Sequence, residues 1–243
     1  LIEQAQAEEV VSAQELVSIA QADYQRLLAV LYDSGYYGAV IQISLDGREA
    51  ASIQSVSPPR SVNSAEISVT PGAPFKFGTA EISPIAPKTT LPTGFRRGEV
   101  AQLSLMRGAV SASVAEWRAA GHAKASLASQ TVTARHADKT LNATLKVDPG
   151  PQLRFGPLTV TGNEAVRTDR ILEIAGLPEG TIFSPEELAL SATRLRRTGA
   201  FASVAMVESD TIGPGDTLGI TARATEAAPR RFGFGAEVAT TDG

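Results

Sequence analysis

Few residues in this sequence have side chains suited to catalysis or metal binding. Its 243 residues include no cysteine and only two histidines. This excludes disulfides, thiolate metal sites and cysteine nucleophiles, and it leaves almost no nucleophile–base pair. His122 and His136 lie at opposite ends of one predicted strand. Because zinc sites need three or four ligands, we favour solvated strand ends over a zinc pair, and we expect no metal and no cofactor.

Two further motifs have ordinary structural explanations. Glu186 and Glu187 resemble paired acid–base carboxylates, but they follow Ser184, and acidic residues are typical of the first turn of a capped helix. The Gly233-x-Gly235 sequence lacks the strand and helix that a dinucleotide-binding loop requires. No Gly-x-Ser-x-Gly, P-loop or His-Glu-x-x-His motif is present. We therefore predict that the protein is not an enzyme, with a scaffold domain of an envelope enzyme as the alternative.

The charge pattern and hydropathy exclude further classes. The 22 basic and 26 acidic residues give a net charge of -4 and are scattered along the chain. A nucleic-acid partner is not expected, because such a groove needs clustered basic residues. Leu1 to Val17 is polar and Glu-rich, unlike a signal peptide, so the start of the sequence resembles an internal cut. No apolar stretch reaches the length of a transmembrane helix.

A repeated pattern organises the chain. Three helical stretches end at Gly35, Gly121 and Gly199, where glycine suits a left-handed helix cap. Each glycine is followed by a predicted strand. These strands are Gly38–Leu45, Lys124–Arg135 and Phe201–Glu208.

A second element gives the period of the repeat. Pro71-Gly72 and Pro149-Gly150 end the last strand of a module, and a Phe-Gly pair at Phe77, Phe155 and Phe232 begins the next strand. These phenylalanines lie 78 and 77 residues apart. Each module is predicted to be α+β, with a three-stranded mixed sheet and two helices packed on one face; the first module lacks its opening strand. The predicted modules are 1–72, 73–150 and 151–228, and a further strand begins in 229–243.

The third module carries the clearest helix signals. A short helix is predicted from Thr168 to Ala175, and a second helix begins at Ser184 and ends at Gly199. The helical stripe and the strand alternation predict that six apolar residues share one core. These are Leu188, Ala192, Leu195, Val204, Leu218 and Ile220.

Several segments resemble the POTRA domain, a repeated unit of outer-membrane assembly proteins. Phe155–Asn163 (FGPLTVTGN) is similar to the opening of such a module, and Leu195–Val204 (LRRTGAFASV) is similar to the end of its second helix. Arg230–Glu237 (RRFGFGAE) resembles the first strand of the outer-membrane β-barrel that follows the modules in this family. Three modules before such a strand, with Tyr36-Tyr37 in the first, are most similar to the TamA family of autotransporter assembly factors. The BamA family of general insertases is the second candidate.

The resemblance implies a function at the periplasmic side of the bacterial outer membrane. Proteins of this kind bind unfolded outer-membrane client proteins by strand addition and position them for their own C-terminal β-barrel. The TamA resemblance also implies an inner-membrane-anchored partner of the TamB type. A spacer that holds a partner at a fixed distance, without binding clients, is a further alternative.

We predict that the first module binds its partner along the strand Gly38–Leu45. Tyrosine combines a large apolar area with a hydroxyl group, which suits an interface, while Ile41 and Ile43 can hold the strand in the core. A Gln42→Pro substitution should weaken strand addition more than folding if that N–H faces outward. The predicted partner-binding residues are Tyr36, Tyr37, Val40, Gln42 and Ser44.

Overall fold

The computed structural model describes residues 12–54 and 59–228. Their helices are α1 (Ala13–Asp33), α2 (Leu103–Ala119), α3 (Thr168–Ala175) and α4 (Pro185–Arg197), with a 3-10 helix at Ala50–Ser52. Their strands are β1 (Val40–Leu45), β2 (Arg48–Glu49), β3 (Ala65–Thr70), β4 (Lys76–Ser83), β5 (Ser126–Arg135), β6 (Thr140–Asp148), β7 (Arg154–Thr161), β8 (Phe201–Glu208) and β9 (Thr217–Glu226). The strands form three sheets in the orders β2-β1-β3, β4-β6-β5 and β7-β9-β8, which confirms the predicted α+β class.

The chain forms two compact units. The first contains the chain up to Glu116 together with Ser126–Asp148, and the second contains Trp117–Ala125 together with the chain from Pro149. The predicted module boundaries stay predictions. The strand predicted in 229–243 lies outside the described residues. Within the described ranges, no helix is long and apolar enough to cross a membrane.

Helix α1 and the first sheet form a small core in the first unit. The Ser12 hydroxyl accepts from the backbone N–H of Glu15 (3.2 Å), and the Glu15 carboxylate accepts from the N–H of Ser12 (2.9 Å), which completes a capping box. The helix ends before Gly35, whose φ of +86° is the left-handed conformation predicted. Val17 and Ala20 of α1 pack against β1, with Tyr24 and Leu27 partly buried beside them. The buried residues of this core are Val17, Ala20, Ile43, Leu45, Ala50 and Ile53.

The second sheet is mixed, because β6 pairs in parallel with β4 and antiparallel with β5. Two helices are predicted here, but residues 84–102, all described, contain none, so α2 alone covers the sheet. Pro84, Pro87 and Pro92 lie in this stretch, and proline removes a backbone donor and disfavours helical conformation at the preceding residue. Phe95 occupies part of the space instead, with its ring 5.5 Å from that of Phe77.

The second unit contains both predicted helices of the third module. Helix α3 has the predicted bounds and ends at Gly176, which has φ +54°. At the start of α4 the Ser184 hydroxyl accepts from the N–H of Glu187 (3.3 Å), and Gly199 follows its end with φ +70°. The third sheet is mixed, with β9 parallel to β7 and antiparallel to β8.

The buried apolar residues of the third module form two clusters that share the partly buried neighbours Leu158 and Met206, so the predicted core is divided into two adjoining parts. Leu195 and Val204 belong to the cluster under α3 and α4, whereas Leu218 and Ile220 pack with Phe155 in the other. Leu195 is fully buried, so the predicted phase of α4 is correct. The split arises because β9 runs under both helices at one end and under the loop before α4 at the other.

The Phe-Gly pairs have a common backbone role. The carbonyl of Phe77 accepts from the N–H of Gly98 (2.8 Å), and the carbonyl of Phe155 accepts from the N–H of Gly180 (2.7 Å). The opening strand is thereby hydrogen-bonded to the loop that leads into α2 in the second sheet and into α4 in the third sheet. The period of the sequence therefore reflects a repeated backbone connection as well as a repeated side chain.

Candidate polypeptide-binding edges

Three of the predicted partner-binding residues share one face of β1. Val40, Gln42 and Ser44 alternate with the core residues Ile43 and Leu45, so they lie on the face away from α1. Val40 is 56% exposed. The structure thus brings these three residues together on an accessible surface.

The two tyrosines have different surroundings from these strand residues. The Tyr37 ring stacks on Tyr32 with centroids 4.8 Å apart and lies 5.7 Å from Phe75. Burial raises the pKa of Tyr37 to about 12, and the charge of Asp33 and the neighbouring Tyr32 act in the same direction. Tyr37 therefore contributes mainly to packing inside the first unit, while the Tyr36 side chain is half-buried.

The backbone of β1 is less open than predicted, because β1 lies between β2 and β3. The Tyr24 hydroxyl accepts from the N–H of Ile43 (3.0 Å), lies 3.3 Å from the Ile43 carbonyl oxygen, and donates to the Glu49 carboxylate. The peptide groups of Ile43 therefore face away from β3. Since these groups alternate sides along an antiparallel strand, those of Gln42 face β3. The outward N–H belongs to Ile41, and Gln42→Pro would break the ladder inside the sheet.

Strand β5 has the most accessible edge of the three strands predicted to bind polypeptides. It is ten residues long, forms the outer strand of its sheet and pairs only with β6 among the described strands. A groove of about 620 Å³ runs beside it, between β5 and α2. We call this the β5 groove. Its apolar lining comes mainly from Leu103, Met106 and Val110 of α2 and from Leu127, Val132 and Ala134 of β5.

Sequence reasoning missed the β5 groove because a β-bulge hides the alternation of its strand. The register between β5 and β6 shifts after Leu127, so Ala128 is an extra residue. The bulge returns Val132 and Ala134 to the same face as Leu127, opposite buried residues of β6. The signal available in the sequence was the spacing of the residues on this face: a three-residue step after Leu127, followed by two-residue steps to Val132 and Ala134. Tyr37, a predicted partner residue, lines one end of the groove.

The edge of β8 in the second unit is partly covered. The Arg118 guanidinium is 2.5 Å from the Glu208 carboxylate at the end of β8. The Lys124 ammonium donates to the carbonyl of Ser209 (2.6 Å). These contacts occupy the last part of the strand and leave the edge beginning at Phe201 without a neighbouring strand among the described residues.

The residues considered for catalysis or metal binding have structural contacts. A ring nitrogen of His122 (Nδ1) is 2.8 Å from the carbonyl oxygen of Gly150, and the ring of His136 packs edge-on against Phe75 at 5.2 Å. The carboxylate of Glu187 is 3.8 Å from Arg194. In the described part of the chain, no three His, Cys, Asp or Glu side chains are grouped as a metal site would require.

Comparison with known proteins identifies the class of the fold. Residues 153–226 match the POTRA family, described as "Surface antigen variable number repeat". The structure is similar to the crystal structure of Haemophilus influenzae BamA POTRA3-5, with a TM-score of 0.59, 21% identity, and coverage of 85% of this chain and 80% of that one. Search of the curated proteins gives no match.

A second solved structure extends the likeness. BamA from Haemophilus ducreyi lacking POTRA domains 1-3 superposes with a TM-score of 0.50 at 18% identity, over 63% of this chain and 30% of that one. At these identities the two matches show the fold. Residues 153–226 match the POTRA family, and the chain shares the fold of these POTRA domains.

Proposed function

We propose that the chain is the periplasmic POTRA region of a bacterial outer-membrane protein assembly factor and that it binds extended client polypeptides by strand addition at β5. The open ten-residue edge of β5 beside an apolar groove carries this proposal. The edge supplies main-chain donors and acceptors, and the groove receives every second side chain of the added strand. Binding of this kind needs no cofactor and no catalytic group.

The energetics favour weak and reversible binding. Each main-chain hydrogen bond contributes about 0.5–1.5 kcal/mol net, and each apolar side chain that becomes fully buried contributes about 1.5–3 kcal/mol. Ordering the client opposes this by about 1–2 kcal/mol per residue. These terms nearly cancel, so a few residues bound in this way give a dissociation constant of roughly millimolar order, which suits a protein that must release its client.

The proposal is tested by placing a photo-crosslinking amino acid at Val132, inside the β5 groove, or at Thr133, on the opposite face of the same strand. The probe is a twelve-residue peptide that alternates valine or tyrosine with threonine. Cross-linking should be strong from position 132 and weak from position 133. A Val132→Glu variant should lose about tenfold in affinity, whereas Thr133→Glu should bind normally. Equal cross-linking from both faces would exclude the groove, and absence of binding would favour the spacer function.

We further propose that the first module binds an inner-membrane-anchored partner of the TamB type through the exposed face of β1. Exposed Val40 and the neighbouring Gln42, next to the half-buried Tyr36, support this surface. This is the TamA-like form of the function; the BamA-like form uses the β5 groove without such a partner.

This second proposal is tested by pull-down of a TamB-type protein with the full chain. Val40→Lys should reduce capture, because it places a charge in the middle of the surface. Ile212→Lys, at an exposed apolar residue of the second unit, is the matched control. Capture that is unaffected by Val40→Lys would remove this face as the binding surface, while peptide cross-linking at Val132 would still report the function of β5.

A further inference from the structure

One polar side chain interrupts the apolar wall that β5 contributes to the β5 groove. Gln130 lines the groove and lies directly opposite Leu145 of β6, a residue of the inner face that is only 1% exposed. Gln130 itself is exposed. The other residues of this strand that line the groove are Leu127, Val132 and Ala134. A glutamine therefore lies within a row that is otherwise apolar.

The third sheet shows what this position carries when the chain itself covers it. Strand β5 is bulged after Leu127 and β8 is bulged after Phe201, so aligning the two bulges places Gln130 at the position of Val204. Val204 is 6% exposed and belongs to the core under α3 and α4. Helix α4 packs on β8, whereas the groove separates α2 from β5.

Exposure alone does not account for the glutamine. Val132, the next residue along β5 on the same face, is 42% exposed and is nevertheless apolar. The β5 wall thus keeps its apolar character in the open groove except at Gln130. A single amide in such a wall is suited to recognising a polar group at one defined position.

The amide of Gln130 has no partner inside the protein. Neither this amide nor the hydroxyl of Ser111, which lines the opposite wall on α2, makes a hydrogen bond within residues 12–54 and 59–228. Arg107, another polar residue of the groove, differs because its guanidinium is 3.7 Å from the carboxylate of Asp33. Glutamine offers two donors and an acceptor, and serine offers a donor and an acceptor.

A strand added at β5 would change the surroundings of this amide. In the open groove, water can hydrate the exposed Gln130 side chain. An apolar side chain placed beside it by the added strand would remove this water and supply no hydrogen bond, which should weaken binding at least about tenfold. An amide side chain at the same place avoids this loss, because each amide carries the donors and the acceptor that the other needs.

We propose that Gln130 determines which segments bind in the β5 groove, by selecting extended polypeptides that place asparagine or glutamine beside it, with apolar residues at the flanking groove-facing positions. Leu127 and Val132 contact these apolar neighbours, and the Ser111 hydroxyl supplies a second polar contact from α2. Such a pairing also fixes the register of the added strand, since a slip of two residues would place the amide against Val132. This inference rests on the strand addition proposed for β5 and adds the class of side chain that is selected there.

The test is an NMR titration of the isotope-labelled full chain, a method that detects millimolar binding. Two peptides are compared. Both are the alternating valine–threonine form of the twelve-residue probe described above, flanked by lysines for solubility, with one central valine replaced by asparagine in the first and by leucine in the second. The asparagine peptide should bind at least about tenfold more tightly, although asparagine is the less apolar residue, and it should shift the side-chain amide signals of Gln130.

Two variants assign the preference to this side chain. Gln130→Val introduces the residue found at the equivalent position of the third sheet, and it should reverse the preference, so that the leucine peptide binds about tenfold more tightly. Thr131→Val is the matched control, because Thr131 is also exposed but lies on the other face of β5, opposite Thr144. The preference for asparagine should persist in this control.

The outcomes separate this inference from the function on which it rests. Equal binding of the two peptides, tighter binding of the leucine peptide to the original protein, or a preference for asparagine that survives Gln130→Val would overturn the role of Gln130 and leave strand addition at β5 intact. If neither peptide shifts the signals of β5, strand addition at this edge is refuted and the inference fails with it.

Discussion

The ion pair between Arg118 and Glu208 should be a principal stabilising contact of the second unit. The two charged groups are 2.5 Å apart, and their side chains are 30% and 18% exposed. The Arg118 guanidinium also donates to the carbonyl of Ala123 and lies 5.4 Å from the ring centroid of Phe183. One side chain therefore joins the end of α2, the loop that follows it, β8 and the loop before α4.

The expected cost of Arg118→Ala lies between two known limits. Removing one partner of a fully buried pair costs about 3–5 kcal/mol, whereas an exposed pair contributes about 0.2–1 kcal/mol. Partial exposure of both side chains places this pair between them, and the cation–π contact adds about 0.5–1 kcal/mol. We expect a loss of about 2 kcal/mol in the free energy of unfolding, which corresponds to a fall of roughly 10 °C in Tm for a unit of this size.

The assay is urea unfolding followed by the fluorescence of the single tryptophan, Trp117, which lies in the same unit with its ring 4.9 Å from that of His122. The control is Arg170→Ala. Its ion pair with Glu173 is equally short at 2.6 Å, but both side chains are more than half exposed, so the loss should stay below about 0.5 kcal/mol. A double-mutant cycle with Glu208→Gln isolates the coupling. Equal effects of Arg118→Ala and Arg170→Ala, with no coupling to Glu208, would refute the argument from burial.

Three further predictions concern single residues. The Glu226 carboxylate accepts from the backbone N–H groups of Val166, Glu164 and Ala165, which lowers its pKa from the usual 4.5. The stability that these hydrogen bonds contribute is present above pH 4.5 and is lost as the pH falls through the lowered pKa. Glu226→Gln should therefore lower Tm at pH 7, and the difference in Tm between the variant and the original protein should shrink toward pH 3. Gly162→Ala should lower the free energy of unfolding in urea by more than about 3 kcal/mol, because φ is +82° and a Cβ would lie 2.2 Å from the carbonyl oxygen of Ala224. Gly215→Ala, with φ +69° and open space around it, should cost about 1–2 kcal/mol. Similar costs for the two variants would contradict the argument from close approach. Tyr37 should titrate near pH 12 in an ultraviolet absorbance titration because it is buried, and a Tyr37→Phe variant should lack that late step.

Local signals in the sequence were sufficient for most individual elements. The bounds of α3 and the start of α4 follow from short-range rules, since a serine cap, an early proline and a terminal glycine act within a few residues. The complete capping box at Ser12 and Glu15 has the same kind of signal, Ser-x-x-Glu, and could have been found. The missing first helix in residues 84–102 was also detectable from its three prolines.

Local sequence rules could not predict which strand edges are accessible. The side chain of Gln42 is exposed, but its backbone N–H and C=O groups face β3, as shown by the contact of the Tyr24 hydroxyl, from a different element, with the backbone of Ile43. Whether a donor is free depends on which neighbour occupies the next position in the sheet. Alternation along a strand gives the side-chain faces but leaves two choices for the direction of each peptide group.

By itself the sequence determined the repeat, the α+β class, the resemblance to POTRA domains and the glycine-ended helices, because each depends on periodicity or on backbone conformations that few residues adopt. Tertiary structure alone decided which strand edges remain open. The bulge at Ala128 directs β5 toward the groove beside α2, and α1 covers β1 while leaving Ile67 and Val69 exposed. The physical reason is that an open edge is defined by the absence of a neighbour, and neighbours in a sheet are brought together by chain segments far apart in sequence.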